Sequence, residues 1–191
     1  MKITGVKKLS HSSHLNLYSI AYRDTLDQDK AWIFASRSRL DNPLERDHGV
    51  PDAVVVVPYH TDEDKLVVIR EFRVVLGDYQ YGFPAGLVDD NETPAHAGAR
   101  ELHEETGLRM TRILGQSPAL FSSSGLTDET VGLLFVECDG TPSGAFAEAS
   151  EDIEVVLLSR EEAGALIQDT GLKFDVKTWI VLNQFAAHGT L

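Results

Sequence analysis

Residues 86–108 read GLVDDNETPAHAGARELHEETGL, and this stretch predicts a capped helix. Thr93 can cap the first turn by accepting a main-chain hydrogen bond, and Pro94 suits the first helical position because its missing N–H is not needed there. Alanines and a leucine follow, which favour helix, and Gly107 stands where a left-handed residue would end it. We therefore expect a helix from residue 94 to residue 106.

The predicted helix carries three glutamates on one face. Glu101, Glu104 and Glu105 stand at positions i, i+3 and i+4, so their side chains project from the same side. Like charges this close repel one another and destabilise a bare helix. A hard divalent cation would relieve the repulsion, and Mg²⁺ suits the role because it keeps bound waters and bridges phosphates. Arg100 can orient the Glu104 carboxylate through an ion pair one turn away.

The fixed residues of this stretch resemble the signature of the Nudix hydrolases, GX5EX7REUXEEXGU, in which U is aliphatic. With each residue type used at roughly one position in fifteen, a chance match is on the order of one in ten million. A merely solvated acidic face is the alternative interpretation. The resemblance implies metal-dependent hydrolysis of a diphosphate on a Nudix α/β/α sandwich with a mixed sheet, with structural roles for Gly86, Glu92 and Gly107. The matching positions are Gly86, Glu92, Arg100, Glu101, Leu102, Glu104, Glu105, Gly107 and Leu108.

Composition and charge limit the partners. Of the 191 residues, 42 % are hydrophobic and 25 % are charged, which is usual for a globular fold, and the net charge is −13. An acidic chain without a cluster of basic residues argues against binding of nucleic acid or an anionic membrane. The single cysteine, Cys138, excludes an internal disulfide and predicts a buried structural thiol. Because no apolar run is typical of a signal peptide or a membrane span, we expect a cytoplasmic protein.

Hydrophobic patterning predicts an α/β layout in two parts. Residues 1–48 would form an N-terminal β-hairpin extension, and residues 49–191 would form the Nudix domain. The apolar run at residues 53–57 is expected to be a central strand buried on both faces. Strands are predicted over residues 15–22, 31–36, 53–57, 65–70, 79–83, 113–121, 131–137 and 153–158.

Two further helices are predicted near the C-terminus. Ser159 and Glu162 form a capping box that opens a helix reaching about residue 168. Asp175 caps the last helix, which runs to about residue 187. The residues of that helix expected to face the core are Val176, Trp179, Ile180 and Leu182.

Segments before the signature resemble the ADP-ribose pyrophosphatase and nucleoside-diphosphate-sugar branch of the family. Residues 70–73 read REFR and residues 81–87 read YGFPAGL, similar to the motifs of that branch. The resemblance implies that the Ala85 carbonyl binds metal. It also implies that an N-terminal hairpin, exchanged between subunits, builds a homodimer and an aromatic shelf for the base. Trp32 lies on the corresponding hairpin, where core or dimer packing is the alternative to base stacking.

Two positions depart from the pattern of that branch. Gly82 stands where a glutamate is usual, and Ser124 stands where a proline associated with ADP-ribose preference is usual. Both departures argue against ADP-ribose as the substrate more than against a nucleoside diphosphate linked to some other group.

The resemblance assigns metal and substrate residues. The cofactor would be Mg²⁺, with Mn²⁺ as an alternative, and Glu92 would fix the signature loop through hydrogen bonds behind the ligands. Arg73 could contact a phosphate, and a surface ion pair is its alternative role. The metal ligands would be Ala85, Glu101, Glu104 and Glu105, and the substrate contacts would be Arg73, Trp32, Glu71 and Gly125.

A general base is expected in the acidic loop at residues 140–152, as in the relatives that the chain resembles. Glu151 is the first choice because it directly precedes a predicted strand, and Glu148 is the second. For each of them, a solvated loop carboxylate is the alternative. Arg100 and Glu104 complete the set of candidate catalytic residues, and Glu104 would be the base if neither loop glutamate is.

These features together predict Mg²⁺-dependent hydrolysis of a nucleoside diphosphate linked to a sugar, with ADP-ribose giving AMP and ribose 5-phosphate. The partners would be a small-molecule nucleotide and a second copy of the chain. One alternative is a Nudix hydrolase of another substrate, such as a modified nucleoside triphosphate. The other is a non-catalytic Nudix-fold ligand sensor, which would not need to retain the signature glutamates.

Overall fold

A computed structural model describes residues 1–189 of the chain. The strands are β1 (Lys2–Lys8), β2 (Asn16–Arg23), β3 (Asp29–Ser36), β4 (Ala53–His60), β5 (Lys65–Arg73), β6 (Asp78–Gly82), β7 (Ala85–Leu87), β8 (Arg109–Gln116), β9 (Leu120–Phe121), β10 (Thr130–Asp139) and β11 (Ile153–Leu158). The helices are α1 (Pro94–Thr106), α2 (Arg160–Leu166) and α3 (Val176–His188). Within residues 1–189, none of the helices is both long and apolar enough to cross a membrane.

The chain divides into two compact units. Unit 1 comprises Met1–Asp52 and Pro118–Val131, and unit 2 comprises Ala53–Ser117 and the residues from Gly132 onward. Each unit therefore draws on segments that are distant in sequence.

Unit 1 is built on an antiparallel sheet in the order β1–β2–β3. Tyr18 is fully buried in this unit, and its ring centroid lies 5.7 Å from that of Phe34. The segment Pro118–Val131 is attached where the Ala35 N–H donates to the Leu126 carbonyl at 2.8 Å. The predicted hairpin is confirmed as β2 and β3, and β1 is a third strand that the sequence pattern did not predict.

Unit 2 contains the larger sheet, with strands in the order β11–β5–β4–β10–β8, β6 beside β5 and β7 beside β4. The central strand β4 is covered on both faces, as predicted. Val54 and Val56 lie beneath Gly98 of α1. On the other face, the ring centroid of Tyr59 lies 6.2 Å from that of Phe185 in α3. The predicted α/β sandwich is therefore confirmed.

Helix α1 begins and ends where the sequence predicts. Thr93 accepts a main-chain hydrogen bond in the first turn, Pro94 occupies the first position, and Gly107 ends the helix with a φ of 71°. Gly98 lies against the sheet, where an added Cβ would lie 2.7 Å from Leu134 Cδ2. The missing side chain lets α1 approach the sheet closely, and this approach sets the position of the glutamates that follow.

The strand predicted over residues 113–121 is wrong as a single element. Strand β8 ends at Gln116, and the chain resumes as the short β9 in unit 1. Pro118 lies between them and has no N–H to continue a ladder of hydrogen bonds. Helix α2 also ends earlier than predicted, at Leu166.

The predicted buried stripe of α3 is also largely wrong. Val176, Trp179 and Ile180 are exposed, and 46 % of the surface of Trp179 is accessible. Apolar residues occur on more than one face of this helix, so the pattern alone does not identify the face that packs. The buried residues of α3 are Thr178, Leu182 and Phe185.

Cys138 lies on β10 in the hydrophobic core of unit 2 and is fully buried, as predicted. Burial raises the pKa of its thiol to about 12. The thiol is therefore protonated at neutral pH, and its role is packing.

Candidate active site

Strand β7 brings the start of the signature against helix α1. Gly86 of β7 pairs with Val54 of the central strand. Glu101 folds over Gly86 so closely that an added Cβ would lie within the Glu101 carboxylate. Only glycine fits here while Glu101 keeps its place, so the structural role predicted for Gly86 has a physical basis.

Arg100 binds several carboxylates of the signature at once. Its Nη1 donates to Glu101 Oε1 at 2.7 Å and to Glu104 Oε2 at 3.1 Å. Its Nη2 donates to Glu92 Oε2 at 3.1 Å and to the Leu87 carbonyl at 3.1 Å. The expected contact with Glu104 is present, and Arg100 also joins the loop before α1 to the helix.

Glu92 lies at the centre of that loop. The hydrogen bond from Arg100 holds the pKa of the Glu92 carboxyl below its usual range, so it stays ionised. Glu92 Oε2 also accepts the Asp89 N–H at 3.3 Å. These contacts are of the kind predicted for Glu92, because they fix the shape of the loop from behind the candidate ligands.

Glu105 is the most deeply buried carboxylate of the candidate site, with only 4 % of its surface exposed. Its Oε2 accepts the Ala85 N–H at 3.3 Å. Burial, together with the smaller effect of the negative charges of Glu101, Glu151 and Glu71, raises the pKa of Glu105 to about 9. Carboxylates from the helix, the loop and β5 therefore converge on Glu105.

The donor atoms at this site suit a hard divalent cation. Glu101, Glu104 and Glu105 supply carboxylate oxygens, and the residue that contacts Glu105, Ala85, carries the carbonyl implied as a ligand. Within residues 1–189, no group of three or more His, Cys, Asp or Glu side chains is already placed to hold a metal ion. Because Arg100 holds Glu101 and Glu104, these carboxylates would have to turn away from Arg100 to bind one.

Of the two glutamates predicted as the base, Glu151 is better placed toward the acidic helix. Burial raises the pKa of Glu101 and Glu105, and the charge of Glu151 adds to the effect on each. Glu151 is half-buried and accepts the Glu148 N–H at 3.0 Å, whereas Glu148 is exposed. Its partial burial and its effect on these two pKa values favour Glu151, and the identity of the base stays a prediction.

The residues predicted to bind substrate form two pairs. In unit 2, Arg73 Nη1 donates to the two carboxylate oxygens of Glu71 at 2.7 and 2.8 Å, so the ion pair considered for Arg73 is present. In unit 1, Trp32 Nε1 donates to the Gly125 carbonyl at 3.1 Å, and half of the Trp32 surface is exposed. The roles of these four residues toward a substrate stay predictions.

Sequence reasoning missed contacts that carry no signature in residue type. Leu87 acts on Arg100 through its main-chain carbonyl, which any residue would supply. Tyr79 of β6 donates a hydrogen bond to Asp152 at the end of the loop that bears Glu151. The two residues are distant in sequence, and only the pairing of strands brings them together.

Comparison with known proteins identifies the class. Residues 49–180 match the model of the NUDIX domain, and the chain belongs to this family. The chain is 27 % identical to the ADP-sugar pyrophosphatase of Mus musculus, over 74 % of this chain and 63 % of that protein. It is 30 % identical to the ADP-ribose pyrophosphatase of Saccharomyces cerevisiae, over 70 % of this chain and 57 % of the relative. The match therefore spans less than two thirds of the length of these relatives.

Two further comparisons are consistent with that family. The ADP-ribose pyrophosphatase of Bacillus subtilis is 32 % identical, over 67 % of this chain and 68 % of the relative. A crystal structure of an ADP compounds hydrolase superposes with a TM-score of 0.71, covering 99 % of this chain and 96 % of the other. At 18 % identity, that likeness shows a shared fold.

Replacing Arg100 by Gln should destabilise unit 2 far more than a matched change at the surface. Glu101 is mostly buried and would lose its charged partner, so we expect a loss of about 1–3 kcal/mol in the free energy of unfolding. Arg112→Gln is the control, because the Arg112–Glu137 pair is exposed and such pairs contribute little to stability. Urea denaturation at pH 7 measures both variants, and equal losses would contradict the expectation.

Proposed function

We propose that the chain hydrolyses the diphosphate of a nucleoside diphosphate linked to a sugar, with ADP-ribose as substrate and AMP and ribose 5-phosphate as products. The observation that carries this proposal is the convergence of Glu101 and Glu151 on the buried Glu105, beside the signature glycine Gly86. Relatives named ADP-ribose pyrophosphatase and ADP-sugar pyrophosphatase support the choice of substrate.

Ala85, Glu101, Glu104 and Glu105 would hold the metal, which we propose to be Mg²⁺, with Mn²⁺ as an alternative. When bound, the cation supplies charge neutralisation for the diphosphate and makes a water easier to deprotonate. The surroundings of Glu105 favour this role, because a divalent cation would offset both the burial and the repulsion that raise the pKa of its carboxyl.

The remaining steps belong to side chains of the chain itself. The Glu151 carboxylate would accept a proton from the attacking water, since it lies on the loop facing the acidic helix. Arg100 would keep its contact with Glu92 while Glu101 and Glu104 turn toward the metal. Arg73 would contact a phosphate oxygen, with Glu71 holding its guanidinium in place. The bond that breaks joins phosphorus to the bridging oxygen, and the water oxygen ends on one of the two phosphates.

In unit 1, Trp32 is proposed to stack on the base of the nucleotide. Its indole N–H is fixed by the Gly125 carbonyl, so the ring has a set orientation and keeps half of its surface exposed. A fixed and accessible aromatic face is what base stacking requires.

A second candidate substrate is a modified nucleoside triphosphate. The observation that favours it is Gly82, where an added Cβ would meet only Ile69 Cγ1, at 4.0 Å. The position could hold a side chain, yet it lacks the glutamate that the ADP-ribose branch usually carries there. The metal residues would be the same for this substrate.

The purified chain with Mg²⁺ should convert ADP-ribose into AMP and ribose 5-phosphate, as read by product chromatography. Glu105→Gln should lower kcat by roughly three orders of magnitude or more while the fold stays intact, because the charge of a buried ligand is removed. Glu161→Gln, a change at an exposed glutamate of α2, is the matched control. Wild-type turnover by Glu105→Gln would show the metal assignment to be wrong. If the chain releases products from UDP-sugars, GDP-sugars or triphosphates but not from ADP-ribose, the proposed substrate is wrong.

Glu151→Gln should lower kcat by roughly 10²–10⁴, the usual range for a general base, with little change in KM. Glu148→Gln should cost far less, because Glu148 is exposed and its hydrogen bonds with Glu151 come from its main chain, which the substitution keeps. Steady-state kinetics on ADP-ribose measure both. Reversed effects would assign the base to Glu148, and two active variants would assign it to Glu104.

We also propose a homodimer formed through unit 1. Leu15, Leu17 and Trp32 are each more than two fifths exposed in the single chain, and Ile20 is partly exposed, so an apolar surface is available for a second copy. A chain truncated before Val50 should aggregate or lose activity.

Light scattering at micromolar concentration should give the mass of a dimer. Leu17→Asp should shift the mass toward a monomer, because a charge would be buried at the contact. Thr25→Asp, in the exposed turn of the same hairpin, should leave the dimer intact. A fully active monomer of the unaltered chain would contradict the proposal.

A further inference from the structure

The loop at residues 140–152 is anchored at its C-terminal end through Asp152. The Phe72 N–H of β5 donates to the Asp152 carbonyl at 3.0 Å. The Tyr79 hydroxyl of β6 donates to Asp152 Oδ2. Asp152 is thus held through its main chain and its side chain, immediately before β11 begins at Ile153.

Tyr79 is itself fixed by its neighbours on β5. The guanidinium carbon of Arg70 lies 3.9 Å from the centre of the Tyr79 ring, and the Phe72 ring packs edge-on with centroids 5.4 Å apart. Arg70 is held in turn by Glu154 at 3.3 Å. The hydrogen bond to Asp152 raises the pKa of Tyr79, so the hydroxyl remains a donor at neutral pH.

The loop has a second anchor on helix α1. The Ser143 N–H donates to the Thr106 carbonyl at 2.8 Å. The Phe146 ring packs on His103, with centroids 4.7 Å apart. Glu151 lies between this anchor and Asp152, so the two attachments limit where its carboxylate can go.

Glu151 directly precedes Asp152, so one peptide bond separates it from the C-terminal anchor. A change in the orientation of Asp152 would therefore move the backbone of Glu151. The Glu151 side chain is held by one hydrogen bond, which it accepts from the Glu148 N–H. Among the residues 1–189 that the structure describes, Tyr79 is the one whose side chain hydrogen-bonds that of Asp152.

We propose that Tyr79 is a positioning residue for hydrolysis, which holds the Glu151 carboxylate toward the acidic face of α1 by fixing Asp152. The proposal rests on the role proposed above for Glu151. Tyr79 acts through another residue and not on the substrate, so its loss lowers kcat and leaves KM nearly unchanged.

Tyr79→Phe is the sharpest test, because it removes the hydroxyl and keeps the ring between Arg70 and Phe72. We expect kcat to fall about tenfold, the effect of one lost hydrogen bond to a charged group, and KM to change by less than about twofold. Tyr81→Phe on the same strand is the matched control, since the Tyr81 ring stacks on Phe174. Urea denaturation should give both variants similar stability, and equal kcat values for them would overturn the proposal.

Variants of Asp152 separate the hydrogen bond from the charge. Asp152→Asn keeps an oxygen that accepts from Tyr79 and should retain most of the activity, whereas Asp152→Ala should behave like Tyr79→Phe. Combining Tyr79→Phe with Asp152→Ala should cost no more than Asp152→Ala alone. Additive losses, or equal losses for the Asn and Ala variants, would overturn the proposal.

The Glu151→Gln background distinguishes this inference from the proposed function. There, Tyr79→Phe should have no further effect on kcat, because no carboxylate remains to be positioned. If Glu151→Gln is as active as wild type, the assignment of the base fails and the positioning role fails with it. If Glu151→Gln is inactive and Tyr79→Phe is fully active, only the positioning role fails.

Discussion

Repulsion among the carboxylates on one turn of helix α1 is the constraint on which the arrangement of this site depends. Arg100 offsets part of it by binding Glu101 and Glu104 together with Glu92. Glu105 lies out of reach of that guanidinium in the contacts described, and burial leaves its pKa raised to about 9. The site is therefore electrostatically unbalanced without a further positive charge, and a divalent cation is the partner whose chemistry matches oxygen ligands.

The helix and the central strand were predictable because each is specified by neighbouring residues. Thr93, Pro94 and Gly107 mark the ends of α1 through local capping, which needs no knowledge of the rest of the chain. The run that includes Val54 and Val56 is apolar at every position, so burial on both faces follows from composition. The contact between Arg100 and Glu104 was predictable for the same reason, since one helical turn separates them.

The features that the sequence did not predict depend on which elements pack against each other in the fold. Trp179 and Ile180 have the spacing of a buried stripe, yet α3 packs through the face that bears Phe185. The contact between Tyr79 and Asp152 needs the pairing of β5 with both β6 and β11, which a single sequence does not show. The sequence pattern indicates whether a segment forms a helix or a strand. Which of two apolar faces becomes buried depends on the element that packs against it.

The buried thiol of Cys138 has a practical consequence for studying motion in this protein. With a pKa near 12 and no solvent access, it carries almost no thiolate at neutral pH and should be inert to maleimides. The natural chain then behaves as if it were cysteine-free toward labelling reagents. A cysteine introduced at an exposed loop position such as Ser150 could carry a fluorophore or spin label without any background substitution, so the mobility of the loop becomes measurable in solution.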